Sequence, residues 1–177
     1  MDKKTLRVNH IGYAVEDLSK ATESFLRLGY RVCRGETEDR PRNVKICFLS
    51  DPGGVKVELI APIVPSNLNE DSNKDSPIAS WLQKNGNSPY HICYDSEDIA
   101  LDIAALKKQG YLLVTRPLPA PAMDGRLVAF MYGKNVGLIE LAEKAKGIRK
   151  DVSEQGNDEV GADTDSEEAM GQGAVNL

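Results

Sequence analysis

The chain repeats itself. His10-Ile11-Gly12-Tyr13 returns 81 residues later as His91-Ile92-Cys93-Tyr94, and these two segments hold both of its histidines. The same offset carries Glu16-Asp17-Leu18 onto Glu97-Asp98-Ile99, Phe25 onto Leu106, and Gly29-Tyr30 onto Gly110-Tyr111. Each copy closes on a glutamate between apolar residues, Val57-Glu58-Leu59 in the first and Ile139-Glu140-Leu141 in the second. A short repeated module cannot bury its apolar face alone, so the two copies are expected to pack as one body. Duplication also supplies side chains in pairs, here one histidine and one glutamate from each half.

Periodicity within the copies predicts the unit βαβββ, twice. Leu6 to Val15 alternates as a strand, with Val8, His10, Gly12 and Ala14 on one face. Asp17 is a candidate N-cap for a helix whose apolar positions, Leu18, Ala21, Thr22, Phe25 and Leu28, stop at Gly29. Tyr30–Arg34 reads as a second strand. A charged loop with Asp39, Arg40, Pro41 and Arg42 leads to strands at Val44–Ser50 and Val55–Ala61, joined by the turn Asp51-Pro52-Gly53-Gly54. The second copy gives a strand at Tyr90–Tyr94, a helix at Asp98–Gln109, and strands near Tyr111–Thr115, Leu127–Tyr132 and Val136–Ala142. Ser76-Pro77-Ile78-Ala79-Ser80-Trp81-Leu82 reads as a short helix capped by Ser76, with Pro77 in its first turn. The expected fold is α+β: two tandem βαβββ modules, 6–62 and 88–144, in a curved, mixed, eight-stranded sheet with helices on the convex face. A linker over 63–87 joins them into one domain spanning 6–146. From 148 to 177 the residues are acidic and without apolar period, which predicts a disordered tail.

At 41% hydrophobic and 28% charged the composition is that of a soluble domain, and no apolar run reaches the roughly 20 residues a membrane span needs. The start, Met1-Asp2-Lys3-Lys4-Thr5, has no apolar leader, so a cytoplasmic protein is expected. Cys33, Cys47 and Cys93 are odd in number and widely spaced, which disfavours a disulfide framework. The net charge of −5 is concentrated in the tail and disfavours nucleic acid as a partner. Exposed sheet edges make a homodimer an open expectation.

Strand alternation sets Glu58 on the face opposite Val57 and Leu59, and Glu140 opposite Ile139 and Leu141. If those apolar pairs lie under the helices, both carboxylates and both imidazoles line the other face. Burying unpaired carboxylates costs several kcal/mol, and a cation removes that cost. His10, Glu58, His91 and Glu140 are thus candidate ligands for one divalent metal ion, Zn, Co, Ni or Mn. The competing account leaves both glutamates on a solvated face with no ion and no penalty.

These residues resemble the vicinal oxygen chelate superfamily over roughly residues 7–144. Its members include lactoylglutathione lyase (glyoxalase I), methylmalonyl-CoA epimerase, extradiol dioxygenases and metal-free antibiotic-binding proteins. The stretches His10-Ile11-Gly12-Tyr13-Ala14-Val15-Glu16-Asp17-Leu18, Val57-Glu58-Leu59-Ile60-Ala61-Pro62 and Ser76 to Gly86 are similar to the epimerase branch. The chain departs from that branch at Ala122-Met123-Asp124-Gly125-Arg126, where epimerases show Gly-Ala-His-Gly, and at Tyr90, where a histidine is common. A further carboxylate of some epimerases has no match near Lys45 or Ile46.

The resemblance implies a metal-dependent isomerase that removes a proton next to a thioester carbonyl. The metal stabilises the enolate, Glu140 is the expected catalytic base and Glu58 its partner on the other side. The implied partner is a small molecule, an acyl thioester, and Arg40, Arg42, Lys45 and Arg126 are candidates to meet its anionic groups or are ordinary surface charges. Two alternatives stay open at this point: a glyoxalase I-type lactoylglutathione lyase, and a non-catalytic small-molecule binding or resistance protein.

Overall fold

Asp17 and Asp98, equivalent residues of the two copies, start equivalent helices. The carboxylate of each accepts a backbone N–H three residues on, from Lys20 and Leu101, both at 3.0 Å. The helices α1 (Leu18–Arg27) and α3 (Ile99–Lys108) are ten residues each. Both runs end at a glycine with positive φ, Gly29 at 93° and Gly110 at 89°, a conformation any Cβ would strain.

The computed structural model describes residues 5–63 and 76–145. Around the helices run β1 (Arg7–Ala14), β2 (Arg31–Asp39), β3 (Val44–Ser50), β4 (Lys56–Pro62), β5 (Ser88–Ser96), β6 (Leu112–Leu113), β7 (Leu118–Ala120), β8 (Arg126–Gly133) and β9 (Gly137–Glu143). The expected tail at 148–177 and the linker stretch 64–75 lie outside the described residues.

One sheet holds every strand, in the order β2-β3-β4-β1-β5-β9-β8-β6, with β7 also paired to β8. The two halves mirror one another across the antiparallel pair β1–β5. Within each half the histidine strand runs parallel to the glutamate strand, β1 with β4 and β5 with β9.

Helices α1 and α3 cover one face. Leu18 and Ala21 of α1 pack on Cys47, Leu49, Val57 and Leu59, while Ile99, Ile103 and Leu106 of α3 pack on Met131, Ile139 and Leu141. The other face carries Ala14, Ile46, Phe48, Ile60, Cys93, Val128 and Ala142. Burial of each such aliphatic side chain contributes on the order of 1.5–3 kcal/mol, which fixes the register: a one-residue slip would turn Glu58 under α1.

Four expectations are corrected. The sheet has nine strands rather than eight among the described residues. The added strand, β7, is three residues and contains Pro119, which concealed it. The strand expected over Tyr111–Thr115 is only Leu112–Leu113 long. There Thr115 leaves the regular ladder, its hydroxyl accepting the Phe130 N–H and its own N–H reaching the Phe130 carbonyl. The short helix is α2 (Ala79–Asn85), begun three residues after Ser76. The Ser76 hydroxyl is buried without a hydrogen-bond partner, so it is no cap. Ile78 and Leu82 pack this segment on the face opposite α1 and α3, so the helices do not all share one side.

Candidate metal centre

The residue before each histidine breaks the ladder between β1 and β5. Val8 pairs with Tyr94 and His10 with Cys93, leaving Asn9 as an extra residue; Gly12 pairs with His91 and Tyr13 with Pro89, leaving Tyr90. Asn9 and Tyr90 are 81 positions apart, so the irregularity is itself repeated. Extra residues of this kind bend a strand and re-aim the next side chain. Here they turn His10 and His91 toward each other.

Each histidine then meets a glutamate from its own half and the one opposite. His10 Nε2 lies 3.3 Å from both Glu58 Oε2 and Glu140 Oε2, and His91 Nε2 lies 3.4 Å from each. The two Nε2 atoms are 3.5 Å apart. All four residues are buried, with one donor atom of each inside a 4.8 Å span. The solvated-face account of the glutamates is thereby excluded: Glu58 and Glu140 are 5% and 4% exposed.

Phe48 and Phe130 wall the group, edge-on to His10 at 5.0 Å and to His91 at 5.2 Å between ring centres. Each stands across the ladder from its glutamate, Phe48 beside Glu58 and Phe130 beside Glu140. The surroundings of the histidines then diverge. His10 Nδ1 is 2.9 Å from Asn9 Oδ1, and Asn9 Nδ2 donates to Asp95 at 2.7 Å. With its amide nitrogen given to Asp95, Asn9 offers His10 an acceptor. Nδ1 therefore carries a proton in either charge state, and Nε2 is the nitrogen that faces the other three donor atoms and binds an ion once its own proton has left. His91 packs over Gly12, where a Cβ would fall 2.2 Å from its Cε1.

The electrostatics are those of a site short of positive charge. Burial alone would lower the His10 imidazole, but Glu58 and Glu140 beside it outweigh that and raise it to about 9. For Glu140, burial acts upward, and the approach of His10 and His91 holds the carboxyl well below the usual range. Glu140 Oε2 nevertheless has no partner at hydrogen-bond angles, and neither has His91 Nδ1. Donors about 2.0–2.1 Å from a shared tetrahedral centre stand about 3.4 Å from each other, and the two imidazole nitrogens lie 3.3–3.5 Å from one another and from both carboxylates. Two imidazoles and two carboxylates with an unsatisfied inward oxygen fit a divalent ion.

A cavity of about 330 Å³ opens beside the group, with Glu58 and Glu140 in its wall. Ile46, Ile60, Val128 and Phe130 give it apolar walls, and Asp39 and Arg42 also line it. Of the basic residues the sequence suggested, only Arg42 lines it. Arg40 pairs with Glu38 and Lys45 with Glu36, while Arg126 donates to the Met123 carbonyl. The sequence reading also missed Asn9, Gly12 and Asp39. It missed the phenylalanine pair too, although Phe48 and Phe130 stand 82 apart, the same offset as the glutamates.

A family model described as the glyoxalase/bleomycin resistance protein/dioxygenase superfamily matches residues 9–130. The ethylmalonyl-CoA/methylmalonyl-CoA epimerase of Cereibacter sphaeroides is 32% identical over 142 residues, 77% of this chain and 97% of that protein. The crystal structure of methylmalonyl-CoA epimerase from Mycobacterium tuberculosis superposes with a TM-score of 0.65 at 26% identity, covering 78% of this chain and 88% of that one. A methylmalonyl-CoA epimerase in complex with methylmalonyl-CoA and NH4+ gives 0.63 at 26% identity, covering 80% and 96%. With the duplicated unit and the paired strands already in place, this chain belongs to the glyoxalase/bleomycin resistance protein/dioxygenase superfamily.

Proposed function

We propose that the protein is a metal-dependent epimerase acting on the carbon between two carbonyl groups of a 2-alkylmalonyl thioester. The observation that carries this reading is the convergence of His10, Glu58, His91 and Glu140, with both carboxylates reaching the wall of a largely apolar cavity. Similarity to methylmalonyl-CoA epimerases supports the substrate class.

His10, Glu58, His91 and Glu140 would hold the ion, which supplies a positive centre for the negative charge that builds on a carbonyl oxygen as the neighbouring C–H bond breaks. Glu140, ionised, takes the proton from the α carbon; its electron pair passes into the adjoining carbonyl as an enolate. Glu58 belongs to the opposite half and enters the reaction protonated; it gives that proton to the other side of the carbon, restoring the C–H bond with inverted configuration and leaving Glu58 ionised and Glu140 protonated. The two carboxylates exchange roles when the other epimer binds. Ile46, Ile60 and Phe130 keep the reacting carbon dry and receive the alkyl group.

The test is wash-in. Metal-loaded protein incubated with one epimer of methylmalonyl-CoA in deuterated water is expected to put deuterium on the α carbon and produce the other epimer. No exchange, together with turnover of the methylglyoxal–glutathione adduct, would establish the lyase chemistry instead. Tight ligand retention without turnover of either substrate would make it a binding protein.

A further inference from the structure

Arg42 is the one cation among the described residues that line the cavity, and its charge is already answered. Its Nη1 lies 2.5 Å from Asp39 Oδ2 and also donates to the Pro119 carbonyl at 3.0 Å, while Nη2 donates to the Leu118 carbonyl at 3.2 Å. Asp39 is 1% exposed and also accepts the Arg42 backbone N–H. A guanidinium has five N–H bonds. Three are taken, which leaves Nε–H and one Nη2–H without a partner among the described residues, on a side chain that is 16% exposed and lines the cavity.

Two consequences follow. The first is that Arg42, from the first half, ties down β7 of the second half, whose Leu118 and Ala120 form part of the cavity wall. The second concerns the spare donors. With the cation balanced by Asp39, they suit a neutral acceptor better than a second anion, and a planar, immobilised fork holds them in place.

Position says which acceptor. Arg42 Nη2 sits on the Leu118 carbonyl; Leu118 pairs with Val128, and Val128 with Ala142, two residues along β9 from Glu140. Two residues along at roughly 3.3 Å each and two strands across at about 4.8 Å each put that point about 12 Å from the Glu140 strand position. In an extended pantetheine thioester the second amide carbonyl stands roughly ten bonds from the α carbon. At the about 1.2 Å per bond of an extended chain this is about 12 Å.

We infer that Arg42, held by Asp39, is a specificity-determining residue that donates to the second amide carbonyl of the substrate's pantetheine arm. This rests on the thioester reading above. Its guanidinium is held by Asp39 and by the Leu118 and Pro119 carbonyls, outside the four-donor group, so it sets which thioesters bind rather than how fast bound ones react.

The experiment measures affinities of metal-loaded protein for racemic methylmalonyl thioesters of CoA, pantetheine and N-acetylcysteamine, the last lacking the second amide. Wild type is expected to bind the pantetheine ester at least about tenfold more tightly than the N-acetylcysteamine ester, the worth of one hydrogen bond to a charged donor. Arg42→Met should bring that ratio to about one with bound metal unchanged. Arg42→Lys, which keeps a charge beside Asp39 but not the fork, should do the same and covers the case in which the Met variant folds badly. A ratio that survives both substitutions overturns the assignment. So does an equal loss for all three esters, which would make Arg42 a wall fastener only, or a loss confined to the CoA ester, which would point to a phosphate. If wild-type protein binds no ester and exchanges no deuterium, the epimerase reading itself has failed, an outcome seen before any variant is made.

Discussion

Adding one methyl group at Gly12 should empty the metal site while sparing the fold. An alanine Cβ there would lie 2.2, 2.4 and 2.6 Å from Cε1, Nδ1 and Nε2 of His91. Ordinary contacts between such atoms begin near 3.4 Å, so the ring must retreat by about 1 Å. Metal–donor distances tolerate about 0.2 Å, so Nε2 ceases to be a donor, and the loss of affinity must exceed the roughly 10–100-fold that removing a mere orienting partner costs. The methyl also meets a packed interior, which lowers stability by about 1–3 kcal/mol, within what a domain of this size withstands. Cys93, the repeat counterpart of Gly12, pairs with His10 and carries a side chain, so the constraint belongs to the ring over Gly12 and not to the repeat position. The assay is metal titration of Gly12→Ala against a competing chelator, with urea unfolding of the metal-free protein alongside. Wild-type affinity in a folded Gly12→Ala protein would refute the packing of His91 described here, and with it the four-donor set.

Other outcomes follow from the same geometry. Asn9→Ala removes the acceptor at His10 Nδ1 and should weaken metal binding by about 10–100-fold, read in the same titration. In the metal-free protein His10 is raised to about 9. Its stabilising contribution is therefore full below its unfolded value of 6.5 and lost as pH rises through about 9. Metal-free protein should unfold at lower urea at pH 9.5 than at pH 6, more steeply than metal-free His10→Gln does. Because the ion competes with that proton, apparent metal affinity should climb with pH up to about 9, with proton release measurable by calorimetry in buffers of different ionisation enthalpy. Glu140→Gln should lower deuterium wash-in by at least about 100-fold from the epimer whose proton it takes. Glu58→Gln should leave wash-in to that epimer and slow inversion, a difference read by NMR on the thioester.

What the sequence disclosed about this site, and what it withheld, divides along physical lines. Alternation around Glu58 and Glu140 was enough to place both carboxylates away from α1 and α3, because Val57, Leu59, Ile139 and Leu141 gain several kcal/mol only on the helix side. Offsets of 81 and 82 then paired the halves. Alternation could not aim the histidines, since each follows an extra residue that breaks the period on which face assignments depend, and neither Asn9 nor Tyr90 has a composition that marks a bulge. Nor could it find β7, where Leu118, Pro119 and Ala120 are too few to show a period. The far side of that strand is satisfied by Arg34 and Arg42, more than 70 residues earlier, which donate to the carbonyls of Pro121, Pro119 and Leu118. Local pattern thus carried the duplicated sheet and the side of it on which both glutamates stand. On the proposed thioester reading, Asp39 and Arg42 break the symmetry because a substrate with one reacting carbon and one arm cannot be received identically by both halves. If that is the cause, substitutions at Asp39 and Arg42 should change which thioester binds and leave the metal in place, while substitutions at Asn9 and Gly12 should do the reverse.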